Sequence, residues 1–204
     1  MKWVAITGGI GTGKSSLASK LRALGYPVLD ADEIAKSVTN RPTALEQLRT
    51  EVSSEIFDSE GKLDRIRLGK EIFQNASLRK KVEKIIHPLV RDEFLQQKAS
   101  AESSSAKEFG FYDVPLLFEN NLQADFFATV VVVSSEKEQI DRLKKRMGLS
   151  EAEVRSRISA QMPLEEKRKL ATYVVENSGA FEDLDGKTEE LVEFLQGKSA
   201  ASEK

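Results

Sequence analysis

The stretch Gly8-Gly9-Ile10-Gly11-Thr12-Gly13-Lys14-Ser15 fits the pattern G-x-x-x-x-G-K-[ST]. A short apolar run, Lys2–Thr7, precedes it, and Leu17, Leu21 and Leu24 follow it at helical spacing. Glycines allow successive backbone N–H groups to turn inward around an anion, and the start of the following helix adds its positive dipole end. A strand, a glycine-rich loop and a helix in this order therefore predict a P-loop that binds a nucleoside triphosphate.

The residues of this loop have separate predicted roles. Lys14 provides a mobile positive charge for the β- and γ-phosphates, and the Ser15 hydroxyl is a suitable ligand for Mg²⁺. The residues that we expect to contact the nucleotide here are Gly11, Thr12, Gly13, Lys14, Ser15 and Ser16. The alternative is a glycine-rich tight turn beside an ordinary surface lysine, which the strand before the loop and the helix after it disfavour.

The composition is typical of a folded, soluble protein. The chain has 204 residues, of which 40% are hydrophobic and 31% are charged, and its formal net charge is -2. So balanced a charge predicts neither a nucleic acid nor an anionic membrane as partner. The lack of Cys excludes disulfides and cysteine nucleophiles, and the single His excludes a multi-histidine metal site. The longest apolar run after the N-terminal one, around 129–133, is far shorter than the roughly 20 residues of a membrane span. We therefore expect a cytoplasmic protein.

Further segments have the apolar, β-branched or aromatic character of short strands. They are Tyr26–Asp30, Phe109–Asp113, Thr129–Val133 and Tyr173–Val175. Capping boxes at Ser135 and Ser150 predict the starts of two helices between the last strands. The alternation predicts an α/β fold, a three-layer P-loop NTPase sandwich with about five parallel strands.

The long, charged and helix-rich segment after the second strand predicts an insertion outside the sheet. We expect a nucleotide-binding core over 1–30, 108–135 and 168–197, a mostly helical insertion and linker over 31–107, a helical lid over 136–167, and a frayed tail over 198–204. Within the insertion, Lys98–Lys107 is small and polar, which is typical of a mobile surface connection.

Three carboxylates fall where strands are predicted to end, which is where an open parallel sheet carries its chemistry. Asp32 is a candidate to orient an acceptor hydroxyl and take its proton, with Asp30 as a supporting group or turn former. An Asx turn or helix cap is an equally ordinary use of such a D-x-D sequence. Asp113 is typical of a Walker B carboxylate that holds Mg²⁺, and its alternative is a strand-end turn residue.

The basic helices leave two interpretations open. Arg142 and Arg146 are four residues apart on one helix, and Arg157 lies on the next. They could form a lid over the nucleotide, or a solvated charged face with pairs such as Glu138–Arg142. The sole His, His87 in His87-Pro88, more often hydrogen-bonds at a helix end than catalyses. Asn177, after the last strand, could reach a nucleotide base or simply form a turn.

Several stretches together form a recognisable pattern, in one order along nearly the whole chain. They are Thr7–Ser15 (TGGIGTGKS), Asp30–Ala35 (DADEIA), Gly61–Arg65 (GKLDR), Ile85–Leu89 (IIHPL), Asp113–Glu119 (DVPLLFE), Arg157–Gln161 (RISAQ) and Val174–Gly179 (VVENSG). The chain thereby resembles the dephospho-CoA kinase family. It departs from that family's usual pattern at Met147 and Thr172, where an Asp is common.

The resemblance implies transfer of the ATP γ-phosphate to the ribose 3′-hydroxyl of dephospho-CoA, with ATP and Mg²⁺ as cofactors and CoA and ADP as products. It implies that Asp32 is the acceptor-hydroxyl carboxylate and that the insertion binds CoA. The positions it implies on the substrate side are Arg65, His87, Pro115, Leu116, Glu119 and Arg157. Arg142, Arg146 and Arg157 resemble lid residues, the first two with a catalytic part, and Asn177 and Gly179 resemble part of the adenine site.

Other functions remain as alternatives at this level. A different small P-loop kinase, for a nucleoside or nucleotide, would place its acceptor in the same insertion. A GTPase-type switch is disfavoured because Asp58–Gly61 and Asp183–Gly186 fit D-x-x-G but follow no predicted central strand, and no N-K-x-D occurs. A nucleic-acid-binding ATPase is disfavoured by the balanced charge. The expected partners are the small molecules ATP and dephospho-CoA, bound by a monomer or small homo-oligomer.

Overall fold

The apolar run at the start of the chain forms β1 (Lys2–Gly8), which is buried from Trp3 onward. The computed structural model describes residues 1–179 and 181–203. The other strands in those residues are β2 (Val28–Asp30), β3 (Phe109–Asp113), β4 (Ala128–Val133) and β5 (Tyr173–Glu176). The α-helices are α1 (Lys14–Ala23), α2 (Ala31–Val38), α3 (Pro42–Gln47), α4 (Arg65–Gln74), α5 (Ala76–Ser104), α6 (Glu136–Met147), α7 (Glu151–Ser159), α8 (Leu164–Leu170) and α9 (Leu184–Ser202).

Within the described residues the strands form one five-stranded sheet in the order β2-β3-β1-β4-β5. The central strand β1 pairs in parallel with β3 and with β4, and β4 pairs in parallel with β5. From β1 the chain first builds one side of the sheet and then the other, so the order of strands reverses at β1. In parallel sheets this switch point is where ligands bind, beyond the carboxyl ends of the strands. The predicted α/β sandwich with five parallel strands is confirmed.

The core lies between this sheet and the helices that cover it. The strands β3 and β4 are buried along their whole length, as expected of a parallel sheet covered on both faces. Leu17 and Leu21 of α1 and Leu191 and Leu195 of α9 are fully buried in the same cluster as Val4 and the other strand side chains. Helix α1 is thereby fixed at the end of β1, which sets the geometry of the loop between them.

The chain divides into two compact units. The first comprises Met1–Leu29 and Ala101–Lys204 and contains most of the sheet, and the second is Asp30–Ser100. The second unit is mostly helical, with α2 to α4 and most of α5, and an isolated antiparallel bridge joins Phe57 to Leu63. The sequence predicts an insertion together with its linker over 31–107, and the corresponding compact unit is Asp30–Ser100.

Three local expectations are wrong. Lys98–Lys107 is not a mobile connection over its whole length, because α5 continues to Ser104 and only 105–107 lie outside the helix. His87-Pro88 does not end a helical segment but lies inside α5; a proline there removes one backbone hydrogen bond without ending the helix. The segment 198–204 is not frayed in its described part, because α9 continues to Ser202 and Ser199 is buried.

The capping boxes predicted at Ser135 and Ser150 are both present, at the starts of α6 and α7. In each box the Ser hydroxyl accepts from a backbone N–H in the first turn, and the Glu three residues later accepts from the Ser backbone N–H. In the part of the chain that the structure describes, none of the helices combines the length and the apolar character needed to span a bilayer.

Candidate active site

The phosphate loop connects β1 to α1, and its backbone conformation depends on Gly13. Gly13 has φ +93° and precedes the first residue of α1. A Cβ at this position would stand 2.0 Å from Nδ2 of Asn177, well inside van der Waals contact. Only glycine combines the positive φ with the close approach of the Asn177 side chain.

Two side chains hold the outer side of the loop. Asn177, which is 6% exposed, donates from Nδ2 to the Thr12 carbonyl at 2.7 Å. Arg142 donates to the same carbonyl at 3.2 Å, to the Gly11 carbonyl at 3.4 Å, and to the Asn177 carbonyl at 2.9 Å. Because C=O and N–H point in opposite directions across a planar trans peptide, fixing the Thr12 carbonyl also fixes the Gly13 N–H.

Lys14, at the start of α1, forms an ion pair with Asp113, at the end of β3. The register pairs Ile6 with Asp113, so the carboxylate lies beside the end of β1 where the loop begins. Nζ of Lys14 is 3.4 Å from Oδ1 of Asp113, and both side chains are largely buried, with 16% and 7% exposed. The predicted phosphate-binding cation and metal-binding carboxylate thus meet in one place. Ser15 lies on the first turn of α1 and is exposed.

Asp30 and Asp32 are used differently in the second unit. The Asp30 side chain caps α2, accepting from the N–H groups of Asp32 at 2.8 Å and Glu33 at 3.0 Å. Asp32 is exposed, and among residues 1–179 and 181–203 its carboxylate has no hydrogen-bond or ion-pair partner. Of the two carboxylates in the D-x-D sequence, Asp30 takes the capping role and Asp32 remains available for chemistry.

The other predicted substrate residues of that unit lie on helices. Arg65, at the start of α4, donates to the Lys36 carbonyl at 2.9 Å, to Oγ1 of Thr39 at 2.6 Å and to Oδ1 of Asn40 at 3.0 Å. These acceptors surround the C-terminal end of α2, whose dipole favours a cation. His87 is exposed on α5. Arg65 therefore has a structural role in addition to any contact with a substrate.

The loop after β3 is held by a buried lysine that the sequence analysis did not identify. Lys167 of α8 is completely buried, and its Nζ lies 2.8 Å from Oε1 of Glu119 and 3.1 Å from the Pro115 carbonyl. Lys167 lies in a run of charged residues, EEKRK, a pattern that is typical of a solvent-exposed helix. The sequence therefore does not distinguish Lys167 from the exposed charged residues beside it. Leu116, in the same loop, is exposed.

Glu119 accepts a second hydrogen bond at Oε1, from the Met162 N–H at 3.1 Å. Burial raises the pKa of Glu119, but hydrogen bonds from Lys167 and from the backbone N–H groups of Glu119 and Met162 lower it more. The net pKa lies below the ordinary value, so the ionised form is favoured in the folded chain. Oε2 of Glu119 is buried and has no hydrogen-bond partner among the described residues.

The three arginines of the predicted lid are in different environments. Arg142 is half-buried against the phosphate loop and also pairs with Glu138, at 3.4 Å. Arg146 is exposed, with no polar partner in the described part of the chain. Arg157 is exposed and lies 4.0 Å from the Met147 sulfur. The contacts assign Arg142 to the wall of the phosphate loop, whereas Arg146 and Arg157 have the exposure that a mobile lid requires.

Gly179 lies next to the start of α6. Its backbone N–H helps to bind the Glu138 carboxylate, whose pKa is lowered first by a hydrogen bond from the Ser135 hydroxyl. The loop after β5, which carries Asn177 and Gly179, is thereby attached to α6 and to the phosphate loop.

Comparison with known proteins gives one consistent result. A family model described as dephospho-CoA kinase matches residues 2–183. A dephospho-CoA kinase from Anaeromyxobacter dehalogenans is 40% identical over 198 residues, which cover 97% of this chain and 93% of the relative. This chain belongs to the dephospho-CoA kinase family.

Solved structures agree with membership of the dephospho-CoA kinase family. A crystal structure from Thermus thermophilus matches with a TM-score of 0.83 at 36% identity, over 95% of this chain and 97% of that one. A dephospho-CoA kinase from Campylobacter jejuni matches with a TM-score of 0.68 at 26% identity, over 95% and 96% of the two chains. The chain is thus a P-loop kinase.

One departure from the usual pattern of the dephospho-CoA kinase family has a clear structural replacement. Thr172, where an Asp is common, accepts at Oγ1 from the Thr129 N–H at 3.1 Å. Thr129 in turn accepts at Oγ1 from the Thr172 N–H at 3.0 Å. The two threonines therefore join the start of β5 to β4 without a carboxylate. Met147 is exposed at the end of α6 beside Arg157.

Proposed function

We propose that this chain transfers the γ-phosphate of ATP to the 3′-hydroxyl of dephospho-CoA, giving CoA and ADP. The observation that carries the proposal is the Lys14–Asp113 pair at the P-loop, 3.4 Å apart, in a chain that the dephospho-CoA kinase model matches from residue 2 to 183. A loop of backbone amides with a lysine and a carboxylate at the switch point of a parallel sheet supports phosphoryl transfer.

In this reaction the acceptor oxygen bonds to the γ-phosphorus as the bond from that phosphorus to the bridging oxygen breaks, and ADP leaves. The amides of Gly11–Ser16 and the Lys14 ammonium bind the phosphates and stabilise the charge that spreads over their oxygens. Asp32 orients the acceptor hydroxyl and receives its proton late in the transfer. Its carboxylate is exposed and has no polar partner within 1–179 and 181–203, which supports this role, implied by the resemblance.

The donor set fits Mg²⁺. The Ser15 hydroxyl and the Asp113 carboxylate are hard oxygen ligands, and Mg²⁺ ordinarily takes only one or two protein ligands, with substrate phosphates and water completing its octahedron. When bound there, Mg²⁺ would neutralise phosphate charge. The Lys14 ammonium beside Asp113 provides positive charge at the same place.

The remaining residues keep the roles that the resemblance implies, as proposals. On the acceptor side these are Arg65, His87, Pro115, Leu116, Glu119 and Arg157. Arg146 and Arg157 close over the bound nucleotide, and Asn177 and Gly179 border the adenine. The contacts of Arg142 with the Gly11 and Thr12 carbonyls support a role in shaping the phosphate loop. We also expect a cytoplasmic enzyme that acts as a monomer or small homo-oligomer.

The proposal is tested by an acceptor panel. Purified protein is incubated with ATP and Mg²⁺ and with dephospho-CoA, AMP, adenosine or shikimate, and products are identified by mass spectrometry. We expect a gain of one phosphoryl group on dephospho-CoA alone, and its loss in Lys14→Met. Turnover of another acceptor in place of dephospho-CoA would refute the proposal. Binding of GTP in preference to ATP would revive the GTPase alternative.

A further inference from the structure

Buried charge outside the phosphate loop is concentrated around Lys167. An ammonium that is completely buried is costly unless it is paired and hydrogen-bonded, so its partners are held firmly. The Lys167 ammonium extends from α8 to one loop, where it contacts the Glu119 carboxylate and the Pro115 carbonyl. Helix α8 carries one other lysine, Lys169, and in contrast to Lys167 it is exposed.

The contacts of Lys167 continue to the phosphate loop by two routes. By the first, the Pro115 carbonyl that accepts from Lys167 also accepts from the Thr7 hydroxyl, at 3.2 Å. Thr7 directly precedes Gly8, where the loop begins. The same loop is anchored to β1 by a hydrogen bond of 2.8 Å from the Val114 N–H to the Ile6 carbonyl.

By the second route, the Oε1 atom of Glu119 that accepts from Lys167 also accepts from the Met162 N–H. The neighbouring residue, Gln161, accepts at its side-chain Oε1 from the Ile10 N–H of the phosphate loop at 2.8 Å. Gln161 ends the RISAQ stretch of the resemblance, but the sequence assigned it no role.

The first route ends at Thr7, directly before the phosphate loop, and the second ends at Ile10, within its first half. We call this set of residues the Lys167 brace; its members are Thr7, Ile10, Pro115, Glu119, Gln161, Met162 and Lys167. It includes Pro115, two residues after Asp113, and Thr7, which directly precedes the phosphate loop. Displacements of about 1 Å in such a place can reduce a rate by about 100-fold.

We infer that Lys167 is a positioning residue for phosphoryl transfer: through Glu119, Met162 and Gln161 it holds the segment between α7 and α8 against the Ile10 amide of the phosphate loop. The inference deepens the function proposed above and rests on it for its kinetic consequence. Lys167 reaches the Ile10 amide only through intermediate residues, and Glu119, which is also proposed on the acceptor side, is the first of them. Gln161 makes the last contact.

The experiment compares variants that break the brace at different points. Lys167→Met alone leaves Glu119 ionised and unpaired, and we expect its Tm to fall by roughly 10 °C. Lys167→Met/Glu119→Gln removes both charges and should recover most of that loss. Gln161→Met has nearly the same shape as glutamine but lacks a strong acceptor for the Ile10 N–H. Lys169→Met, an exposed lysine on the same helix, is the matched control.

Two readouts separate positioning from simple stability. Amide exchange of Ile10 should be at least about 10-fold faster in Gln161→Met and in the double variant, because one hydrogen bond of about 1.4 kcal/mol corresponds to about tenfold in opening. In Gln161→Met, which changes no residue proposed to contact a substrate, kcat should fall about 10- to 100-fold while KM for ATP changes less than about threefold. Lys169→Met should leave both readouts as in the wild type.

Unchanged Ile10 exchange in the double variant would overturn the inference, since Lys167 would then not act on the loop. Wild-type kcat together with fast exchange would also overturn it, as would a rise in KM for ATP at constant kcat. If the wild type itself does not phosphorylate dephospho-CoA, the proposed function fails, and Ile10 exchange alone then decides whether Lys167 positions the loop.

Discussion

Replacing Gly13 by alanine tests how the phosphate loop is held. The new Cβ would lie 2.0 Å from Nδ2 of Asn177, so that side chain has to move and lose its hydrogen bond to the Thr12 carbonyl. In addition, φ of +93° is strained for any residue other than glycine. Gly13→Ala therefore combines a steric effect and a backbone effect.

Both effects can be given a magnitude. A non-glycine residue with a left-handed backbone costs about 1–2 kcal/mol, and leaving the buried hydrogen-bonding groups of Asn177 and Thr12 unpaired costs about 1–3 kcal/mol. The sum is about 2–5 kcal/mol, which for a chain of this size lowers the Tm by roughly 5–20 °C. The variant should remain folded, since domains are stable by about 5–15 kcal/mol, but its affinity for ATP should fall with the displaced loop.

Two other glycines provide matched controls. Gly148→Ala has the backbone effect alone, because φ is +65° and no atom of the described part of the chain lies within 4 Å of the new Cβ. Gly197 lies inside α9, and its new Cβ would have no neighbour within 4 Å among the residues that the structure describes. Gly197→Ala should therefore stabilise the chain by about 0.5–1 kcal/mol.

The assays are thermal and urea unfolding of each variant and calorimetric titration with ATP. In an Asn177→Ala background the cost of Gly13→Ala should shrink to the backbone effect, which gives a coupling of about 1–3 kcal/mol between the two sites. Strict additivity would refute the reasoning, because it would mean that the Asn177 side chain does not limit position 13.

Three further changes have distinct expected outcomes. Asp32→Asn should lower turnover by about 100-fold or more with ATP affinity nearly unchanged in calorimetry, and a wild-type rate would show that the proton is taken elsewhere. Arg142→Met should lower both Tm and ATP affinity, whereas Arg146→Met should lower turnover at constant Tm; equal effects of the two would contradict their different environments. Ionised Glu119 stabilises the fold above its ordinary pKa of 4.5 and loses that contribution as the pH falls through its lower folded pKa. Glu119→Gln should therefore destabilise the chain at neutral pH and not at acid pH, as followed by Tm against pH, and a pH-independent difference would contradict this linkage.

Much of the fold follows from local patterns in the chain. The glycines and Lys14 between an apolar run and a leucine-spaced helix predict the P-loop, and the β-branched run around 129–133 predicts a buried strand. Capping boxes at Ser135 and Ser150 place helix starts correctly because their hydrogen bonds lie within four residues. The expected ends of α5 and α9 were wrong because burial of Ser199 and a hydrogen bond from Trp3 to Glu102 extend those helices through polar sequence.

For the candidate site, too, some features follow from local sequence patterns and others depend on tertiary packing. The sequence by itself predicted the phosphate loop and the family, and it singled out Lys14 and Asp113 as candidates for binding phosphate and metal, since these inferences depend on residue types at fixed spacing. Only the tertiary structure decided that Asp30 caps a helix while Asp32 has no polar partner for its carboxylate among the described residues. It likewise decided that Arg142 donates to the phosphate loop while Arg146 is exposed. It alone revealed Lys167, because its partner Glu119 lies 48 residues away in sequence and 2.8 Å away in space. Burial and long-range pairing depend on how distant segments pack, and a linear pattern of residues carries no measure of that.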